Sequence, residues 1–415
     1  MRFTHLAEWL RWLETLHYKS VDLGLDRVLE VAQRGQLTVF KCPVVTVTGT
    51  NGKGSCVALL EQCWQPYRTA SYTSPHLLHF NERIKFNAQP CRDTQLMEAF
   101  AVIDALRGTT SLTYFEFTTL AALWLFQQQP LDVIILEVGV GGRLDAVNVV
   151  HPTVAIITNI SLDHCEWLGD SREKIAQEKS GIMRAGCPVV CGEEHPPANL
   201  KAIANELGAI WYGRGEQFDY QTQANNWDWH SATQQLTALP LPQLAIANAA
   251  VVLMVVELLQ AQLAVDLTVI NRALTHTHLA GRFQAYRNAV EYIFDVAHNP
   301  ASAQLLAENL KKCPAEGRTL ALFAMLKDKD IANTVAPLAS LIDQWFIAGL
   351  EGERGATHDY LKQQMLPTVK AEAINSFKTL TEAHQAALQQ ANIQDRIVVF
   401  GSFYTVAGIQ AILEE

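Results

Sequence analysis

Val44-Val45-Thr46-Val47-Thr48-Gly49-Thr50-Asn51-Gly52-Lys53-Gly54-Ser55 passes from a β-branched, mostly apolar run into three glycines set around one lysine. Such a run reads as a strand buried in a parallel sheet. The glycines permit a tight turn whose backbone N–H groups converge on one anion, and the lysine adds a point charge for outer phosphates. A hydroxyl just beyond can reach magnesium, and a helix expected to begin near Ser55 directs its positive end at the same place. Strict P-loop spacing is not met, because Val47 stands where the first glycine would and Gly54 follows Lys53. A glycine-rich turn without a ligand is the competing reading; the preceding strand and Ser55 favour the phosphate one.

Outward from this stretch, apolar β-branched runs recur at 133–138, 154–160 and 188–191, separated by helix-like segments. The alternation predicts a mostly parallel sheet covered by helices. Residues 217–242 break the pattern with Trp227, Trp229 and paired prolines, which predicts an irregular or antiparallel excursion before a helix from about Ala245. The tryptophans read as core plugs rather than ligand stackers. A second alternating series follows Gly281-Arg282-Phe283, with strands expected at 291–295, 319–325, 344–347 and 396–400 and helices from Ala301 and Ile331. The fold expected is α/β: a P-loop-type, mostly parallel sheet domain over 1–285, then a smaller Rossmann-like α/β domain over 286–415.

Length supports this division, since 415 residues exceed what one hydrophobic core usually holds. With 49% hydrophobic and 18% charged residues, the chain has material for two cores and no signature of disorder. A net charge of −10 argues against broad nucleic-acid binding, while leaving room for a local cationic site that takes a small anion. Eight scattered cysteines form no CxxC pair and no metal-ligand spacing, so reduced thiols and a cytoplasmic setting are expected. Leu6, Trp9, Leu10, Leu13 and Leu16 fall at helical spacing among charges, an amphipathic helix rather than a signal peptide. No apolar run reaches membrane-spanning length, and a monomer is the expected state.

Ligands of open α/β sheets bind beyond the carboxyl ends of the strands, so polar residues there are candidates. Glu137 ends one apolar run and leads into Val138-Gly139-Val140-Gly141-Gly142-Arg143-Leu144-Asp145. A carboxylate so placed binds a cation or pairs with a base; magnesium is the preferred reading and an ion pair with Arg143 the alternative. Asp163-His164 ends the next run, and Glu178-Lys179-Ser180-Gly181 follows a helical stretch. Lys179 is then either a counterion or a chemically modified lysine, with counterion favoured by these residues alone. Ser74-Pro75-His76 and Asn81-Glu82-Arg83 supply a hydroxyl suited to magnesium and a planar guanidinium suited to phosphate.

Together these motifs, with Asp22-Leu23-Gly24-Leu25, Thr113-Tyr114-Phe115-Glu116, Gly281-Arg282-Phe283, Asp295-Val296-Ala297-His298-Asn299-Pro300 and Gly401-Ser402-Phe403, resemble the folylpolyglutamate synthase family. The likeness is strongest to its bacterial members that are also dihydrofolate synthases, and the family belongs with the ATP-dependent amino-acid ligases that include the cell-wall Mur ligases. It runs from Leu10 to about Ala407 and accounts for the extra glycine after Lys53.

The resemblance implies a ligase that adds L-glutamate to dihydropteroate, giving dihydrofolate, and to tetrahydrofolates, giving folylpolyglutamates, through an acyl phosphate. ATP would be held by Thr50, Asn51, Gly52, Lys53, Gly54 and Ser55, with Asn248, Arg282 and Asp295 completing the nucleotide site. Two magnesium ions would be held by Ser74, Glu137, His164 and a carbamylated Lys179. Asp22, Leu23, Gly24, Thr113, Tyr114, Phe115, Glu116 and Asp145 would bind the pterin and benzoate portion of the acid, and His298 and Ser402 the incoming glutamate. Lys53, Lys179, Arg83 and His298 would be catalytic, with Arg83 steadying the carboxyl phosphate. His298 has a structural alternative as a buried helix-capping residue. The split of motifs between domains implies closure about residues 281–290.

Two other readings use fewer of these residues. A Mur-type cell-wall ligase would be expected to carry a UDP-binding domain ahead of the first strand, for which the segment before Val44 is too short. A nucleotide-dependent switch would need only the phosphate loop and magnesium ligands, leaving Asp295, His298 and Ser402 unexplained.

Overall fold

A computed structural model describes residues 2–19 and 21–414. Two compact units divide the chain, 1–277 and 278–415. The division falls ahead of the expected 285/286 because residues 284–287 already form a hairpin strand of the second sheet.

The first unit holds β1 (Val44–Thr48), β2 (Thr69–Tyr72), β3 (Ile84–Phe86), β4 (Gln89–Pro90), β5 (Val133–Glu137), β6 (Val154–Ile157), β7 (Pro188–Cys191) and β8 (Ile210–Gly213). Their order in the sheet is β4-β3-β2-β5-β1-β6-β7-β8. β2, β5, β1, β6, β7 and β8 run parallel, and β3 and β4 add an antiparallel edge. All five residues of β1 are buried, as a strand covered on both faces requires. The chain leaves β1 on one side toward β2 and β5, then crosses to the other side for β6, β7 and β8. That reversal opens a crevice at the carboxyl ends of the central strands.

Register fixes what meets there. Val47 lies beside Glu137 on one neighbour, and Thr48 beside Ile157 on the other. The phosphate loop therefore emerges between the ends of β5 and β6. Behind it, helix Lys53–Cys63 begins two residues earlier than the sequence suggests, with Gly52 as its left-handed cap. It packs on helix Ile246–Leu259. Both helices are buried on nearly every side, which suits their lack of a polar face. Each fully buried Val or Leu in this layer contributes about 1.5–3 kcal/mol.

Residues 217–242 form a three-stranded antiparallel sheet of β9 (Phe218–Thr222), β10 (Asn226–Ser231) and β11 (Gln235–Pro240), ordered β11-β10-β9. Trp227 and Trp229 are fully buried in it, their indole N–H groups donating to the carbonyls of Pro240 and Ala250. They are the core plugs the sequence suggested.

The second unit has β12 (Gln284–Arg287), β13 (Glu291–Phe294), β14 (Thr319–Phe323), β15 (Gln344–Ala348), β16 (Ile374–Phe377) and β17 (Arg396–Phe400), ordered β12-β13-β17-β14-β15-β16. Only β12 is antiparallel to its neighbour. Helix Pro300–Lys312 starts from an Asn299 cap with proline at its first position, the favoured N-terminal arrangement. Among the described residues no helix is long and apolar enough to cross a membrane. All eight cysteines are free thiols.

Candidate active site

The phosphate loop is laced to the end of β6. The Thr50 amide donates to the Asn159 carbonyl at 3.0 Å, the Asn51 amide to Asn159 Oδ1 at 2.8 Å, and the Thr158 hydroxyl to the Asn51 carbonyl at 2.6 Å. Gly49 and Gly52 take positive φ, and a side chain on Gly49 would collide with Thr158. A Cβ on Gly52 would run into the Asn248 amide. Two of the loop glycines are thus demanded by backbone geometry and by close neighbours. Lys53 Nζ bonds the carbonyls of Gly49 and Thr50 at 3.1 and 3.2 Å, curling over the loop it would share with a phosphate.

A narrow concavity lies at this point, and Gly49, Thr50, Lys53, Asp163, His164 and Lys179 are among the residues lining it. Asp163, His164 and Lys179 thus meet the phosphate loop here, while Ser74 and Glu137 are not among the lining residues. Lys179 is only 3% exposed. Burial first, then the positive charge of Lys53, hold its amine well below the usual lysine range, against the opposing pull of Asp163 and Asp145. His164 takes a left-handed backbone at the start of the short helix Cys165–Leu168, and its amide donates to Asp163 Oδ1 at 2.8 Å.

Glu137 is 4% exposed at the end of β5, and the Ser74 amide reaches its Oε2 at 3.3 Å. The alternative pairing of Glu137 with Arg143 is not what forms: Arg143 pairs with Glu178 at 2.8 Å. Ser74 and Glu137 are therefore neighbours, as shared ligands of one cation would be. Hydroxyl and carboxylate oxygens suit a hard divalent ion, and a buried carboxylate beside an anion-cradling loop fits one. Among the described residues no three His, Cys, Asp or Glu side chains form a cluster that could hold a metal ion by themselves.

Arg83 ends a short helix, Phe80–Arg83. Its Nε donates to His76 Nδ1 at 2.8 Å, and its guanidinium lies 5.5 Å from the ring centres of both Phe80 and Tyr114. It does not line the concavity. His76 is held to about pKa 4, chiefly by burial and then by the Arg83 charge, so at neutral pH it accepts rather than repels that proton.

The residues expected at the acid substrate form a second group. Asp22, Leu23 and Gly24 lie on an irregular segment, and Thr113 caps helix Tyr114–Gln127 in a capping box with Glu116. Glu116 thus has a structural role, in which its Oε2 accepts from the Thr113 amide at 2.7 Å. Phe115 packs close enough to Gly139 that a Cβ there would sit 2.7 Å from its ring, linking this group to the glycine-rich turn beside the concavity. Asp145 is 3% exposed and accepts from the amides of Val140 and Val147 at 2.9 and 3.0 Å. Burial raises its carboxyl to about 6, against those bonds and Lys53.

Arg282, Asp295, His298 and Ser402 belong to the second unit, where the ends of β13 and β17 adjoin. Asp295 accepts from the amides of Phe283 and Ala297 at 2.9 and 2.8 Å, and burial raises its carboxyl despite Arg282. His298 Nδ1 donates to the Val296 carbonyl at 2.8 Å. Ser402 is buried, its hydroxyl accepting the Thr405 amide at the start of helix Phe403–Glu414. The capping role weighed for His298 falls to its neighbour Asn299, whose Oδ1 accepts the Ser302 amide at 2.9 Å. Arg27, Thr158 and Asn159 escaped the sequence reading, although the last two stand at a strand end where such residues are to be sought.

Residues 47–247 match the Mur ligase middle domain and residues 281–403 the Mur ligase glutamate ligase domain. Fold and phosphate site together define a Mur-type, ATP-dependent ligase architecture. The dihydrofolate synthase/folylpolyglutamate synthase of Escherichia coli (strain K12) is 43% identical over 413 residues, covering 99% of this chain and 96% of its own. The structure of E. coli FolC in complex with DHPP and ADP superposes with a TM-score of 0.94 at 42% identity, covering 99% of this chain and 98% of that one. A bifunctional folylpolyglutamate synthase/dihydrofolate synthase with Mn, AMPPNP and L-glutamate bound gives 0.92 at 43%, covering 99% and 98%. The chain belongs to the dihydrofolate synthase/folylpolyglutamate synthase family.

Proposed function

We propose that this chain joins L-glutamate to dihydropteroate and to tetrahydrofolates, using ATP and divalent metal. The observation that carries the reading is the meeting, in one concavity, of the phosphate loop with Lys53, Asp163, His164 and the buried Lys179. A carboxylate oxygen of the acid attacks the terminal phosphorus of ATP, releasing ADP and forming an acyl phosphate. The glutamate amine then attacks the acyl carbon, the amide bond forms, and phosphate leaves with the surplus proton passing to solvent. The protein contributes positioning and charge neutralisation.

In this reading Lys53 and the loop amides of Thr50 to Ser55 hold the phosphates. Ser74, Glu137 and His164 ligate magnesium, and Lys179 becomes a carbamate that supplies an anionic ligand for a second ion. Its depressed pKa supports that role, since carbon dioxide reacts only with the neutral amine. Asn248 backs the phosphate loop, as its contact with Gly52 suggests. Arg282 and Asp295 serve the nucleotide, His298 and Ser402 the glutamate, and Arg83 the acyl phosphate. Residues Asp22 to Gly24, Thr113 to Glu116 and Asp145 receive the pterin and benzoate portion. The unpaired state of all eight cysteines supports a cytoplasmic setting.

Intact-mass analysis of the products from dihydropteroate, ATP and L-glutamate, and in parallel from tetrahydrofolate, tests the reading. A single glutamate added to the first and further glutamates to the second is the expected result. Addition to tetrahydrofolate alone would reduce the activity to polyglutamation, and ATP hydrolysis without glutamate transfer would overturn the ligase reading.

A further inference from the structure

Arg27 joins two segments that the proposed function places at the acid substrate. Its Nη1 donates to Asp22 Oδ2 at 2.7 Å, its Nη2 to the Asp22 carbonyl at 2.7 Å and to Glu116 Oε1 at 2.9 Å, and its Nε to Glu116 Oε2 at 3.4 Å. One guanidinium therefore spans 89 residues of sequence. The Glu116 side chain is 5% exposed and that of Arg27 28%, so this pair is shielded far better than a surface ion pair. On the far side, His17 reaches Asp22 Oδ2 at 3.3 Å and Ser111 Oγ at 2.8 Å, which ties the same carboxylate to the approach to Thr113.

The surroundings explain why this junction matters. Asp22 to Gly24 have no regular secondary structure, so no backbone ladder fixes them. Glu116 cannot move without undoing the helix cap at Thr113, which makes it a firm anchor. A lysine at position 27 would present a point charge and could not hold both carboxylates in the forked geometry.

We propose that Arg27 is a positioning residue that fixes the Asp22–Leu25 segment against the start of helix Tyr114–Gln127, so that affinity for the pterin-bearing acid, and not for ATP, depends on it. The inference rests on the proposed function, because it takes those two segments as the walls of the acid site.

The test compares wild type, Arg27→Lys and Arg27→Gln for steady-state ligation, varying dihydropteroate and ATP separately. Loss of a charged, bidentate hold predicts a rise of about tenfold or more in KM for dihydropteroate with Arg27→Gln, while KM for ATP stays within about twofold. Arg27→Lys should fall between. Amide exchange at residues 22–25 should quicken in the same order. Should Arg27→Gln not fold, Arg27→Lys carries the comparison. Parallel changes in both KM values, a fall in kcat alone, or unchanged exchange at 22–25 would overturn the inference. A wild type that ligates no pterin acid would instead refute the proposed function, and the inference would fall with it.

Discussion

Lys53 and Lys179 line one concavity, the first at the start of the helix behind the phosphate loop and the second at the end of helix Arg172–Ser180. Two cations so placed repel one another, which holds the buried amine below the usual lysine range. In the second of these lysines, burial and the Lys53 charge act in the same direction. Carbamate formation is the consequence to test. With labelled bicarbonate, wild type should show a carbamate carbon signal that Lys179→Ala lacks, and ligation should be lost in the variant and partly restored by a short carboxylic acid. Full wild-type activity in carbon-dioxide-free buffer without such a signal would count against the modification.

Lys53→Ala is expected to keep the fold and lose the reaction. The ammonium bonds two carbonyls of its own loop, and circular dichroism should be unchanged in the variant. Removing the cation from the transferring phosphoryl should lower kcat by about a thousandfold. Near-normal turnover would remove Lys53 from the centre of the chemistry.

Asp145 gives a pH dependence of defined sign. Its folded carboxyl titrates at about 6 against an ordinary value of 3.8, so the folded state binds the proton more tightly than the unfolded chain. The protonated form contributes stability that is fully present below the unfolded value and is lost as pH rises through about 6. Melting temperatures in the absence of metal should therefore fall over this window in wild type more than in Asp145→Asn. Identical profiles would show that the carboxyl is not raised.

Gly139→Ala probes the link between the glycine-rich turn and Phe115. A Cβ there would sit 2.7 Å from the ring, so the aromatic must shift. Overpacking of this kind costs about 1–3 kcal/mol, which denaturant titration would read. KM for dihydropteroate should rise with little change for ATP; equal effects on both would detach Phe115 from the acid site.

Much of the site was legible because its signals are local. The passage from β1 through Gly49 and Gly52 into a helix is written in consecutive residues, Glu137 is the last residue of β5, and Asp163 lies in the loop that follows β6. The edge strands β3, β4 and β8 left little trace, being short and partly exposed, without a continuous apolar run. Side-chain partnerships were harder still. An ion pair with Arg143 was the alternative weighed for Glu137, yet Arg143 pairs with Glu178 on helix Arg172–Ser180, and Ser402 proved to be a helix cap as well as a strand-end candidate.

By itself the sequence determined the backbone of the long apolar runs and of the phosphate loop, and which residue types follow those runs, since these depend on neighbours a few positions away. Only the tertiary structure decided that Asp22 and Glu116 share one guanidinium, that Thr158 and Asn159 brace the phosphate loop, and that Lys179 is buried beside Lys53. Those relations depend on strand order and register, which bring together side chains that the chain itself keeps far apart.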